Sequence, residues 1–475
     1  MITLLLILTP LIAGLMAFAL KQGSSAKTIA LLASVATLVL ALVAVFTPGE
    51  LGYDIAWLNN LGSRITLKAD GMAKMLSLLT AVSFPLIFTA VHNNAYKNEH
   101  AFYGLMLLSQ AGLMGVFLAS DALLFYFFWE LALIPVYFLC SLWGGEKRIA
   151  VTFKFFVYTF IGSLLMLIGL LFMYFQTADQ SFSLESFYAV KLTAKQEMLM
   201  FWLFFVAFAI KMPIFPFHTW QPDAYEQSPT ATTMVMSGIM VKMGVYAVIR
   251  WILPMFPNAA ASSANLVIIL SIIGMIYASL IAIRQDDIKR MIAYSSIAHI
   301  GLMSAAMFTN NRTAIDGVMI QMFSHGVNVI GLWIIADLIE KQLGTRQMSQ
   351  LGGLAQKAPV MSILLVVMAL ANVALPLTNA FIGEFLMFNG LFQYNMIMAA
   401  VAGISIILAA VYTLNMVQKV IYGDTNSFTE KAIDIPFNVK LSLVIIAVLI
   451  LVFGVFPQPL LNLTGDTVSA LFVKK

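Results

Sequence analysis

IKMPIFPFHTWQPDAYEQSPTATTMVMSGIMVKMGVYAVIR, residues 210–250, follows the apolar run MLMFWLFFVAFA at 198–209 and carries two lysines, Lys211 and Lys242, into otherwise apolar sequence. Pro213, Pro216 and Pro222 come directly after Lys211. A proline inside a helix removes a backbone hydrogen bond and clashes with the preceding turn, so a helix here breaks at Lys211. Backbone groups freed inside an apolar segment are tolerated only where protein or a water-filled cavity satisfies them. The stretch therefore predicts a broken membrane helix with an ionisable group at the break.

The rest of the chain agrees. Of 475 residues, 61% are hydrophobic and 10% charged, and the mean hydropathy is +0.93. A soluble domain carries about 25% charged residues, so the chain is an integral membrane protein. The net charge of +4 is small and scattered, which excludes nucleic acid as a partner and leaves membrane lipid as the surroundings. A single cysteine, Cys140, excludes disulfides, thiolate metal sites and iron-sulfur clusters within the chain. There is no phosphate loop or dinucleotide fingerprint, and MITLLLILTPLIAG reads as a retained first helix rather than a signal peptide.

Apolar runs bounded by polar or Pro/Gly-bearing segments predict an all-α polytopic fold of about fourteen spans. They fall near 2–20, 28–47, 72–91, 101–119, 121–142, 150–175, 198–226, 229–253, 264–284, 288–309, 315–343, 359–394, 396–422 and 440–462. The twelfth, like the seventh, is too long and contains a proline, Pro376. Five helices separate the two breaks, and an odd separation inverts orientation. This is the pattern of inverted five-helix repeats, helices 4–8 and 9–13. The chain reads as one membrane domain, 1–475, with peripheral helices over 1–100, one repeat over 101–253, a second over 264–422 and a terminal helix over 440–475. Odd-numbered loops hold fifteen Lys and Arg, against eight in even loops and termini. The odd loops are expected on the cytoplasmic side and both termini outside.

Lys74, Lys211 and Lys242 lie inside spans, and Lys74 is near enough to an end to snorkel. Each charge at a bilayer centre costs about 2.5–3.5 kcal/mol on insertion scales. Glu130, Lys211, Lys242, His299, His325 and Glu384 nevertheless fall near one depth on six helices. A row at one depth is no straight pore. It suits a lateral proton relay, because carboxylate, amine and imidazole each gain or lose a proton once burial and neighbours bring them toward neutrality. A Glu130 pair with Lys211 or Lys242 would offset both charges. His218, Asp121, Lys154 and Asp337 are candidates for an access path. The bland alternatives are structural ion pairs and core histidines bonded to carbonyls.

DALLFYFFWELALIPVYFL at 121–139, the 210–250 stretch, and DDIKRMIAYSSIAHIG at 286–301 together resemble the antiporter-like membrane subunits of respiratory complex I, over essentially the whole chain. Related chains occur in multisubunit Na+/H+ antiporters and membrane-bound hydrogenases. Within the family, the M type has glutamate in a GEF motif on the broken twelfth helix, and AFIGEFLMF here supplies Glu384. Where the family is usually glycine-rich before that motif, this chain has Leu377 and Asn379. The resemblance implies that Glu130 modulates Lys211, that Lys242, His299 and His325 connect two half-channels, and that Glu384 is the terminal site. It further implies a subunit of a proton-translocating NADH:quinone oxidoreductase in a bacterial cytoplasmic (inner) membrane, partnered by other membrane subunits including other antiporter-like ones. No cofactor is expected in this chain; NADH, FMN, iron-sulfur clusters and quinone would belong to partner subunits.

Overall fold

A computed structural model describes residues 1–20 and 23–473. Lys21, Lys474 and Lys475, counted in the charge balance, lie outside the described residues. The chain is a multi-pass helical membrane protein. Among the described residues, eleven helices are long and apolar enough to cross a membrane. They are Ile2–Ala19, Ser25–Phe46, Gly71–Ala90, Glu99–Leu118, Ala122–Trp143, Arg148–Gln176, Thr230–Met255, Pro257–Arg284, Arg312–Leu343, Met396–Ile421 and Phe437–Val455. The three remaining spans are the ones carrying breaks or many polar groups. The seventh is divided into Ala194–Lys211 and Gln221–Gln227, and the twelfth into Pro359–Asn372 and Asn379–Tyr394. The tenth, Ile288–Met307, bears Ser295, Ser296, His299 and Ser304.

The eighth and eleventh spans are buried throughout, whereas the second, thirteenth and fourteenth bury only about a third of their surface. A helix covered on all sides has no lipid-facing stripe. Lys242 and His325 sit on these two central spans and so are enclosed by protein rather than lipid. Peripheral spans leave large apolar side chains such as Leu32, Phe153 and Ile407 outward, as a lipid or partner surface requires.

At both breaks, side chains bond backbone carbonyls. At the seventh, Trp220 Nε1 donates to Ile210 O (3.0 Å) and Lys154 Nζ to Thr219 O (2.8 Å). At the twelfth, Ser324 Oγ donates to Asn379 O (3.1 Å) and Asn328 Nδ2 to Ala371 O (3.4 Å), both from the eleventh span. The twelfth break forms without the expected glycines. Ala374 and Leu377 take left-handed backbone (φ 56° and 75°), at about 1–3 kcal/mol each. The glycine that makes room is on the neighbouring span: a Cβ on Gly454 would lie 2.1 Å from Leu377 O.

Two elements depart from the all-α expectation and its boundaries. Leu51–Leu58 and Ser63–Ala69 form an antiparallel hairpin, pairing Tyr53 with Leu67 and Ile55 with Ile65. Asp54 accepts from Arg64 Nε (2.9 Å) and Thr66 Oγ1 (2.7 Å), tying one strand to the other. The fourteenth span ends at Val455 rather than near 462. Pro457 interrupts it, and a separate helix, Gln458–Val473, docks on the third span, where Gly71 N donates to Thr467 Oγ1 (3.0 Å). The ninth span begins at Pro257, seven residues before the expected 264; the other spans fall within about five residues of expectation.

Candidate functional site

The first group of ionisable side chains sits between the fifth and seventh spans. Glu130 is half-buried, with an unpartnered Oε1. Lys211 closes the first half of the broken seventh span and is 2% exposed. Its Nζ has no hydrogen-bond partner and lies 5.5 Å from the centroid of the Trp129 ring, a contact worth about 2 kcal/mol when desolvated. The Glu130 carboxylate reaches Lys211 electrostatically. No closed ion pair joins Glu130 to either lysine among the described residues, so the expected direct pair does not form; Trp129, not the carboxylate, is against the ammonium.

The fifth span is set by close packing against the fourth. A Cβ on Gly112 would meet Ala132 N at 2.3 Å and Leu131 C at 2.6 Å, in the turn that carries Glu130. Rigid backbone cannot yield to such a clash, so Gly112→Ala pushes the fifth span outward and costs about 1–3 kcal/mol. The expected result is a lower thermal midpoint of the purified assembly together with reduced transport. An unchanged midpoint would show that this approach does not hold Glu130.

A second group is made of two bonded pairs whose imidazole rings are neighbours. Lys242, fully buried, follows a π-helical segment, Met236–Met240, whose wider turn displaces carbonyls from their usual partners. Its Nζ donates to Ser237 O (2.7 Å) and lies 2.7 Å from His325 Nδ1. The rings of His325 and His299 are 5.5 Å apart between centroids. His299 Nδ1 is 3.0 Å from Glu384 Oε1, and its Nε2 is buried without a partner. Gln321 Nε2 donates to the same carboxylate oxygen at 3.3 Å. Four of the six residues picked out by depth thus form one string, Lys242, His325, His299, Glu384.

The other candidates divide. Lys154 pairs with Asp223 (2.9 Å), and Asp223 also meets Arg290 (3.3 Å), in a charge cluster holding the short second half of the seventh span to the start of the tenth. His218, buried in the seventh break with Nδ1 unpartnered, packs against the rings of Phe215 (5.8 Å) and Tyr277 (5.3 Å). Asp337 pairs with Lys341 one turn along the eleventh span (2.5 Å). Asp121 is elsewhere. It begins the fifth span at the opposite end from Lys154 and accepts from Leu124 N, Ser63 Oγ and Arg64 N, each at 3.0 Å. It caps the helix and anchors the hairpin. Lys74 does not snorkel to water: its Nζ donates to Thr47 O and Gly49 O (2.7 Å each), closing the end of the second span.

Neutral polar residues were missed by a reading based on charge. Gln321 is one turn from His325 on the eleventh span, and that i, i+4 spacing was the available signal. Ser295, Asn372, Tyr412 and Thr413 meet near the twelfth break through hydrogen bonds of 2.9–3.2 Å; they come from three spans, and no local pattern joins them.

An imidazole accepts a proton at one ring nitrogen and releases one from the other. Lys242 Nζ can hand a proton to His325 Nδ1, and His299 Nδ1 can hand one to Glu384 Oε1. Between the two imidazoles the ring centroids are 5.5 Å apart and His299 Nε2 makes no hydrogen bond.

Residues 119–409 match the family model described as NADH:quinone oxidoreductase/Mrp antiporter, TM. The chain is 36% identical over 487 residues to NADH-quinone oxidoreductase subunit M of Rhodobacter capsulatus, covering 97% of this chain and 94% of that one. It is also 36% identical over 457 residues to subunit M of Rickettsia typhi, with 94% and 92% covered. A chain of respiratory complex I from Thermus thermophilus with bound NADH is similar in structure, with a TM-score of 0.91, 28% identity, and 99% and 100% of the two chains covered. A chain of the Mrp complex from a Dietzia species shares the fold (TM-score 0.89, 19% identity, 99% and 97% covered). With the model spanning more than half its length and relatives matching nearly end to end, the chain belongs to the NADH:quinone oxidoreductase/Mrp antiporter family of membrane subunits.

Proposed function

We propose that this chain is the M-type proton-translocating membrane subunit of an NADH:quinone oxidoreductase. It resides in a bacterial cytoplasmic membrane with its odd-numbered loops inside and both termini outside. NADH, flavin, clusters and quinone belong to partner subunits, and the neighbours in the membrane include other antiporter-like subunits. Residues 101–253 and 264–422 act as two inverted half-channels joined at Lys242. Charge arriving from a neighbouring subunit perturbs Glu130, Lys211 loses its electrostatic support, and a proton moves by way of Lys242, His325 and His299 to Glu384 and outward.

The observation that carries this reading is the Lys242, His325, His299, Glu384 string, with contacts of 2.7 and 3.0 Å at its two ends. It also weighs against a purely structural subunit. Groups retained to hold helices together would be paired, whereas Lys211 Nζ, Glu130 Oε1 and His299 Nε2 are all buried without partners.

Purification of the chain with its partners, followed by reconstitution into sealed vesicles, tests the assignment. The expected result is proton translocation driven by NADH in sodium-free buffer. The shared fold with the Mrp complex keeps a second reading in view, a cation/proton antiporter subunit. Transport that requires sodium, from an assembly that does not oxidise NADH, would establish that reading instead.

A further inference from the structure

Beside the His299–Glu384 pair is a cavity of about 20 Å³, lined by His299, Glu384, Ser405 and Tyr412 among others. That is room for about one water molecule. The Tyr412 hydroxyl contacts Ser295 Oγ at 2.9 Å, and Asn372 Nδ2 donates to Ser295 Oγ (3.1 Å) and to Thr413 Oγ1 (3.2 Å). All four side chains are buried. Ser295 is one turn before His299 on the tenth span, and Asn328 is one turn beyond His325 on the antiparallel eleventh. Asn372 ends the first half of the twelfth. The cluster therefore lies on one side of the Glu384 level, toward the face where the tenth span begins. Two further polar atoms at this level, Ser296 Oγ and Asn328 Oδ1, are buried without a protein partner, the kind of group that buried water bonds.

We propose that Tyr412 and Ser295 are a hydroxyl link that reloads Glu384 from the inner face, on which the tenth span begins, after Glu384 has discharged outward and beside its supply through His299, and that Asn372 orients it. The proposal rests on Glu384 being a relay site. The orientation follows from donors and acceptors. Asn372 Nδ2 occupies an acceptor site on Ser295 Oγ, leaving the Ser295 proton free to point to Tyr412, and Tyr412 in turn directs its proton into the cavity. A contact of 3.4 Å from Ser295 Oγ to Asn372 Oδ1 is the longer and weaker option. In each transfer Tyr412 gives its O–H proton, through one water in the cavity, to the Glu384 carboxylate and takes the Ser295 proton; Ser295 is reprotonated from water on its far side. Each hydroxyl loses one proton and gains one, so the string is restored in chemistry and reversed in direction.

Tyr412→Phe removes only the hydroxyl and keeps the ring. The whole assembled complex is used, reconstituted in vesicles, with NADH oxidation, proton translocation and the H2O/D2O rate ratio measured for wild type, Tyr412→Phe, Ser295→Ala and Glu384→Gln. Glu384→Gln is expected to lose translocation. Tyr412→Phe is expected to assemble normally, to translocate protons at least threefold more slowly, and to show a larger isotope ratio, which a merely structural defect would not produce. If Tyr412→Phe fails to assemble, Ser295→Ala decides, with a slower rate and the same rise in isotope ratio expected. Loss in Glu384→Gln with unchanged rate and isotope ratio in the hydroxyl variants overturns the link alone. Unchanged translocation in Glu384→Gln overturns the relay reading on which it rests.

Discussion

Lys242→Met in the assembled complex is expected to reduce NADH-driven proton translocation by about tenfold or more, the scale on which removing a positioned proton-transfer group acts. Lys242 is the one residue of the site with two strong contacts, to Ser237 O and His325 Nδ1 at 2.7 Å each. Methionine fills a similar volume in a wholly buried position, so packing is largely kept. What disappears is the proton donor to His325. The thermal midpoint should therefore move little while transport falls. A variant that melts far below wild type without assembling would mark Lys242 as a structural anchor, and normal transport in an assembled variant would remove it from the relay.

Lys211→Ala carries the second large effect. The ammonium lies in the seventh break, over Trp129, within the field of Glu130 and with no hydrogen-bond partner. A lone charge in that position costs several kcal/mol to bury, of which the Trp129 contact offsets about 2 kcal/mol. Alanine should consequently be tolerated by the fold, and translocation should fall about tenfold or more. The measurement is proton uptake into vesicles alongside the rate of NADH oxidation. Lys211→Arg separates charge from proton transfer, because a guanidinium stays protonated in proteins. If arginine restores full transport, Lys211 serves as a fixed charge and not as a proton carrier.

Much of the fold was legible because its signals are local. The charge fraction and apolar run lengths give a membrane protein, and Pro213 and Pro376 give the two breaks. The hairpin at 51–69 was not read, although Tyr53, Ile55 and Trp57 alternate with smaller or polar residues in the strand pattern. It lies between spans, in sequence read as loop. The end of the fourteenth span is overrun because Leu460 and Leu461 extend the apolar run past Pro457, before the more polar remainder of Gln458–Val473.

The site was legible as far as charge carries. A charge at mid-depth stands out against an insertion cost, which is what singles out Lys211, Lys242 and Glu384 as candidates. Partner choice was not legible: depth places Glu130 level with two lysines, but the side chain that reaches Lys211 is Trp129. Neutral residues such as Gln321 and Tyr412 carry a far smaller cost and are common in spans, and only the packing of the tenth to thirteenth helices shows that they face the Glu384 carboxylate or its cavity.

In the proposed relay the sites act in series, so removing two should cost no more than removing one. The decisive measurement is the number of protons translocated per NADH oxidised by the complex carrying Lys211→Ala together with Glu384→Gln, in sealed vesicles beside each single variant and wild type. The relay predicts the same low value in all three variants. A doubly substituted complex that still reduces quinone and translocates protons at the wild-type ratio would contradict it.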